Sequence, residues 1–158
     1  MDRNKVCCIT GHRIIARDDL PQLASRLDET ISELISRGII YFGSGMAIGF
    51  DALAAGAVLR AREANSRVKL IAVLPCSNQD ERWNAADRQK YRELIAAVDK
   101  VTYVSNQPYA DGCMQARNRW LVENSGVCVA YLRNGRTGTG QTVRMARERG
   151  LRVINLAE

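Results

Sequence analysis

Three short stretches of this chain carry the residue types that ligand chemistry needs. The first, Gly43-Ser44-Gly45-Met46-Ala47-Ile48-Gly49-Phe50-Asp51, joins an apolar run from Ile39 to Phe42 to an alanine-rich segment from Asp51 to about Glu63. That order reads as strand, glycine turn and helix start. Gly43, Gly45 and Gly49 let the backbone turn sharply with its amides unobstructed, and a helix start adds unpaired N–H donors at the positive end of its dipole. Such a turn suits an anion, most often phosphate, although a plain tight turn with Asp51 as N-cap uses the same residues. The second stretch, Asn134 to Thr142, contains Gly138-Thr139-Gly140-Gln141-Thr142 and offers backbone donors with the hydroxyls of Thr137, Thr139 and Thr142. Gly11-His12-Arg13, the third, ends a short apolar run and contributes an arginine fork matched to phosphate or carboxylate.

Several chemistries are set aside by what the chain lacks. Gly43-x-Gly45-x-x-x-Gly49 is one residue longer than the dinucleotide fingerprint, and the strand after it runs into Leu74-Pro75 rather than an acidic ribose ligand. The second stretch has no P-loop lysine. With one histidine and five cysteines that show no C-x-x-C spacing, neither a metal site nor a disulfide framework is expected. Cys76 and Cys113 lie outside the apolar runs and are the candidates for reactivity, with inert packing the simpler expectation. A net charge of +6 favours an anionic ligand or partner without choosing between a nucleotide and a nucleic acid. No apolar run approaches the ~20 residues of a membrane helix, so a cytoplasmic protein without a membrane partner is expected.

The elements that must position these stretches alternate regularly. Strands are expected at Lys5 to Thr10, Ile39 to Phe42, Val68 to Leu74, Lys100 to Val104, Val127 to Leu132 and Arg152 to Leu156. Between them lie helical patterns. Leu20 to Arg37 places Leu23, Leu27, Ile31, Leu34 and Ile35 on one face, with Asp18 or Asp19 as cap and Gly38 as stop. The small-sided helix after Asp51 includes Gly56, read as backbone pressed against a neighbour; helices follow at Ala85 to Val98, Met114 to Asn124 and Gln141 to Arg149. Strands that are apolar throughout, alternating with helices, predict a mostly parallel sheet covered on both sides: one α/β, Rossmann-like three-layer domain over residues 1–158. All strand-to-helix loops then emerge on one edge, where Arg13, both glycine stretches and the Gln79 to Trp83 loop are expected to meet. Trp83, at a loop-to-helix junction, reads first as a packing lid and second as a base-stacking platform.

Gly11-His12-Arg13, Gly43 to Asp51, Gln79 with Trp83 and Tyr91, Arg117-Asn118-Arg119-Trp120-Leu121-Val122 and Gly138 to Thr142 occur in the order found in the YpsA-like proteins, which the chain resembles over nearly its whole length. That group falls in the SLOG superfamily, with the DNA-processing protein DprA and the LOG cytokinin-activating enzymes. The resemblance implies a nucleotide or nucleotide-derived ligand held between Gly43, Ser44, Gly45, Met46, Gly49 and Asp51 on one side and Gly138, Thr139, Gly140, Gln141 and Thr142 on the other. Gly11, His12, Arg13, Arg117 and Asn118 would approach its phosphate or ribose.

The expected function is therefore a binding or sensing module for a phosphorylated small molecule. As an alternative, LOG-like enzymes split the N-glycosidic bond of nucleoside 5′-monophosphates with a glutamate in a P-G-G-x-G-T-x-x-E motif. Here Leu132-Arg133-Asn134 replaces the proline entry and the glutamate is missing, which leaves Asp51 as the candidate catalytic carboxylate, or Glu81 from the loop. A second alternative is DprA-like binding of single-stranded nucleic acid, for which Trp83, Tyr91, Tyr109 and Trp120 are the aromatic candidates. Relatives with this fold often pair, and a homodimer through the Met114 to Asn124 helix is a further expectation.

Overall fold

The computed structural model describes residues 2–158. Six strands, β1 (Val6–Gly11), β2 (Tyr41–Ser44), β3 (Lys69–Leu74), β4 (Lys100–Tyr103), β5 (Val127–Tyr131) and β6 (Arg152–Asn155), form one sheet of order β4-β3-β2-β1-β5-β6. Every pairing is parallel. Five helices make the connections: α1 (Leu20–Ser36), α2 (Phe50–Ala64), α3 (Ala85–Ala97), α4 (Cys113–Glu123) and α5 (Gly138–Glu148). The apolar faces of α1, α2 and α3 pack into one core with one side of the sheet, and those of α4 and α5 into a second core on the other. This is the α/β, Rossmann-like three-layer arrangement expected from the alternation.

Periodicity explains most of it. In α1, Leu23, Leu27, Ile31 and Leu34 are all buried, each worth about 1.5–3 kcal/mol of apolar transfer, and the helix stops where Gly38 takes a φ of 101° and its N–H reaches back to Ile35. β1 is apolar from Val6 to Ile9 because both of its faces are covered: Cys7, Cys8 and Ile9 are all buried. β4 departs from that pattern. It is the sheet edge, so Val101 and Tyr103 remain exposed.

Three local expectations are corrected. α5 starts at Gly138, three residues before Gln141, because the Thr137 side chain caps it by accepting the Gly140 N–H at 3.2 Å. Asp19 precedes α1 without capping it through its side chain; its carboxylate is instead taken by Tyr131 Oη and the Arg133 guanidinium. Gly56 is not pressed against a neighbour, since an added Cβ would meet only Arg60 Nη1 at 3.6 Å; nothing in the structure explains a glycine there.

The strand order positions the site. From β1 the chain steps outward through β2, β3 and β4, then returns to place β5 and β6 on the other side of β1. The loops leaving β1 and β5 therefore part at their carboxyl ends. Open α/β sheets bind ligands in the crevice at such a reversal.

Candidate functional site

A cavity of about 320 Å³ opens at that reversal, bounded by the end of β1 from Ile9 to Arg13, by Gly45, Ala47 and Asp51, by Met114, Arg117, Asn118 and Leu121 of α4, and by Thr137, Gly138 and Thr139. Both glycine stretches and the Gly11-His12-Arg13 turn thus face one space. The two glycine stretches, however, play different parts in it.

The first stretch spends amides on its own side chains. Gly43 and Ser44 are the end of β2; Ser44 Oγ accepts the Met46 N–H at 3.1 Å, and Asp51 Oδ2 accepts the Ala47 N–H at 3.1 Å. Asp51 is not the N-cap of α2. Gly49 holds that position, with a φ of 86° and the Arg13 carbonyl oxygen only 2.1 Å from where a Cβ would stand. The carboxylate of Asp51, one residue into the helix, curls back over the turn and occupies one of the donors expected to meet an external anion. Met46 is a core residue with a φ of 58°, and Gly43 leaves room for Leu121 on the α4 face. Gly45, Ala47 and Asp51 line the cavity, while Gly43, Ser44, Met46 and Gly49 shape its wall from behind.

Asp51 is the electrostatic centre. Its residue surface is 5% exposed, and Oδ1 is buried with no hydrogen-bond partner. Burial pushes its pKa up to about 6, against the downward pulls of Arg117, the Ala47 N–H and Arg13. Arg117, from the second turn of α4, is 4% exposed. It donates through Nη1 to the Gly45 carbonyl at 2.7 Å and through Nε to Asn118 Oδ1 at 2.8 Å. Burial lowers its pKa, an effect opposed by the negative charge of Asp51. These opposite charges feel one another but form no ion pair within 4 Å among the described residues. Gly45 is where the two walls touch: a Cβ on it would lie 2.3 Å from Arg117 Nη1.

The second stretch keeps its donors. α5 begins in the cavity wall, its Gly140 N–H answered by Thr137 and its Gln141 N–H by the Thr137 carbonyl, while the N–H groups of Gly138 and Thr139 have no acceptor among the described residues. Gly138 has open space where a side chain would be. Gly140 is needed for a different reason, since the Gly135 carbonyl oxygen lies 2.1 Å from its would-be Cβ. Gln141 is exposed outside the cavity, and the Thr142 hydroxyl donates to the Gly138 carbonyl at 2.9 Å within α5.

His12 lines the cavity as the clamp that sets this stretch. Its Nε2 accepts the N–H of Arg133 at 2.9 Å and of Asn134 at 3.2 Å, which fixes the neutral ring with its proton on Nδ1. Partial burial lowers its pKa, in the same direction as these two accepted bonds require. Tyr131 completes the support, its ring 5.8 Å from both His12 and Phe50.

Sequence reasoning missed Ala47, Met114 and Leu121 as lining residues, none of which carries a polar signal. It also gave no role to Gln79, whose Nε2 donates to the Gly45 carbonyl at 3.1 Å and so helps fix the turn. Among the described residues, no group of three or more His, Cys, Asp or Glu is placed to hold a metal ion, and no helix is long and apolar enough to cross a membrane.

Comparison with known proteins follows the same outline. The model of the YspA SLOG family matches residues 7–149. The UPF0398 protein BH1768 of Halalkalibacterium halodurans is 27% identical over 137 residues, covering 80% of this chain and 72% of that protein. Among solved structures, DNA processing protein A from Helicobacter pylori, described with a single-stranded DNA binding mode, superposes with a TM-score of 0.67 at 19% identity, covering 96% of this chain and 64% of that one. The corresponding protein from Streptococcus pneumoniae gives 0.65 at 20% identity, over 93% of this chain and 48% of its own length. The chain therefore spans less than two thirds of the first of these structures and just under half of the second, and at such identities the likeness concerns the fold.

Proposed function

The chain belongs to the YspA SLOG family, and from that membership we propose that it binds a nucleotide or nucleotide-derived molecule in the cleft between the start of α2 and the start of α5. The observation that carries this reading is Asp51 Oδ1, a buried carboxylate oxygen without a partner on one side of a cavity whose other side offers the free N–H groups of Gly138 and Thr139. A lone acceptor opposite an anion cradle matches a ribose hydroxyl joined to a phosphate. In this reading the phosphate lies at the N-terminus of α5, Arg13 screens its charge, and Arg117 fixes the turn that carries Asp51. Mass spectrometry of small molecules released from the purified protein on denaturation tests it. A co-purified nucleotide is expected; a protein that releases none and shows no heat of binding with nucleoside monophosphates would refute the reading.

A second reading is favoured by the same carboxylate. With a pKa of about 6, Asp51 is mostly ionised at neutral pH on a residue only 5% exposed, where a negative charge stabilises a developing ribose cation. The corresponding reaction breaks the C1′–N bond of a nucleoside 5′-monophosphate, places the oxygen of water on C1′ and sends the proton to the departing base. Incubation with nucleoside monophosphates, followed by chromatography for free base, separates turnover from binding. Release of base that is lost in Asp51→Asn establishes the enzyme; tight binding without release establishes the module.

A further inference from the structure

Beside the cleft lies a second and larger cavity, about 650 Å³, lined by Arg13, Asn78, Gln79, Glu81, Arg82, Trp83 and Tyr109. Arg13 lines both spaces, so they adjoin across its side chain. We propose that this groove is a base subsite: it stacks the aromatic base of a ligand whose phosphate sits at α5, making the ligand a complete nucleotide rather than a sugar phosphate. The proposal rests on the reading of the cleft given above.

The groove is made from the loops after β3 and β4, which are fastened to each other. Ser77 N–H donates to the Gln107 carbonyl at 2.9 Å, and Tyr109 N–H donates to Asn78 Oδ1 at 2.8 Å. Two aromatic residues thereby reach one cavity from two loops. Trp83 is half-buried, its backbone N–H donating to the Asp80 carbonyl at 3.1 Å and its ring held by an edge-to-face contact with Tyr91 at 5.2 Å. Tyr109 is 59% exposed, a large apolar ring left in water at the mouth of a cavity. Both expected roles of Trp83 are thus compatible: its contact with Tyr91 fixes the ring, and a fixed ring is the better stacking surface because little freedom is lost on binding.

Gln79 adds a polar preference. Its Nε2 is committed to the Gly45 carbonyl at 3.1 Å and, more loosely, to Tyr91 Oη at 3.4 Å, leaving Oε1 buried without a partner among the described residues. An N–H on the edge of a base answers such an acceptor. The same side chain ties the groove to the turn that carries Asp51, so the two halves of the site are mechanically joined. Arg13 and Arg82 outnumber Glu81 on the lining, and the Asn78 side-chain amide answers Glu81 at 2.9 Å, so the groove favours an anionic ligand over a neutral nucleoside.

Calorimetric titration with ribose 5-phosphate and with AMP, GMP, CMP and UMP tests the proposal in parent, Trp83→Ala and Tyr109→Ala proteins. At least one monophosphate should bind about tenfold or more tightly than ribose 5-phosphate, the order of one stacked base. Trp83→Ala should remove most of that increment and Tyr109→Ala part of it, both leaving ribose 5-phosphate unchanged. Tyr109 is exposed, so its substitution keeps the test open if Trp83→Ala fails to fold. Equal affinity for sugar phosphate and nucleotides would refute the groove and leave the cleft standing. Absence of binding by all five compounds would refute the cleft, and the groove with it. An oligothymidylate that binds through Trp83, while no monophosphate exceeds ribose 5-phosphate, would assign the groove to nucleic acid and overturn the proposal.

Discussion

The proton on Asp51 favours the fold, and its loss works against it. Folding moves the pKa from 3.8 to about 6, so the native chain holds this proton more tightly than the unfolded one. The resulting stability is fully present below pH 3.8 and is lost as pH rises through about 6; the size of the shift corresponds to about 3 kcal/mol at the neutral end. Asn carries no charge at any of these pH values. Asp51→Asn should therefore be more stable than the parent at pH 8, by about 1–3 kcal/mol, and should lose that advantage near pH 4. Urea unfolding at both pH values checks this, and an unchanged difference between them would show that Asp51 is not buried as a carboxylate. Gly49 makes a simpler prediction. Its positive φ and the Arg13 carbonyl leave no room for a methyl group, and Gly49→Ala should cost roughly 1–3 kcal/mol in the same unfolding measurement.

Two helix starts of similar sequence type end with opposite electrostatic roles. α2 has Asp51 two residues after its Gly49 cap, within reach of the turn, and the carboxylate folds back to answer the Ala47 N–H. No acidic side chain lies in the first turn of α5, so its leading N–H groups stay open to the cleft. The loop before α5 depends on His12 accepting two amides, which the imidazolium form cannot do. Because burial lowers the His12 pKa from 6.5, the histidine contribution is present above pH 6.5 and is lost as pH falls through the lower native value. The Arg133 and Asn134 amides should thus be protected from hydrogen exchange at pH 7.5 and, after correction for the intrinsic rate, lose protection at a pH well below 6.5, once the depressed native value has been passed. NMR exchange measurements at the two pH values decide it; equal protection would mean the loop stands without the histidine. The bridge from Arg133 to Asp19 should outlast this change, since that guanidinium, with help from Tyr131, holds the Asp19 pKa down to about 2.

At the scale of the whole molecule, the cleft is a product of strand order. A ligand that joins the walls built on β1, β2 and β5 binds only the folded chain, so a nucleotide at a hundred times its Kd should add about 2.7 kcal/mol of stability. For a domain of this size that is a rise in Tm of roughly 5–11 °C, measurable by calorimetry. The net charge of +6 predicts some retention on single-stranded DNA at low salt. If the cleft is the contact, free nucleotide should displace the DNA at constant ionic strength; if the charge acts diffusely, only salt should. Much of this architecture was legible in the chain itself: the repeated strand-helix alternation, the parallel sheet, the apolar stripe of α1 and the special turns at Gly49 and Gly138 are matters of period and backbone chemistry over a few neighbouring residues. The roles within the turns were not. Asp51, readable from its position as a cap or as a ligand-facing carboxylate, became a buried carboxylate, the hydrogen-bonding partners of His12 turned out to be the Arg133 and Asn134 amides, and Arg117 became a buried cation, because burial and distant partners come from segments tens of residues apart. Local sequence determined which turns were able to face a ligand, since turn geometry and helix ends are short-range. Only the tertiary structure decided that Asp51 would be buried near Arg117 while the starts of α2 and α5 faced one cavity, because strand order and desolvation depend on the whole packed chain.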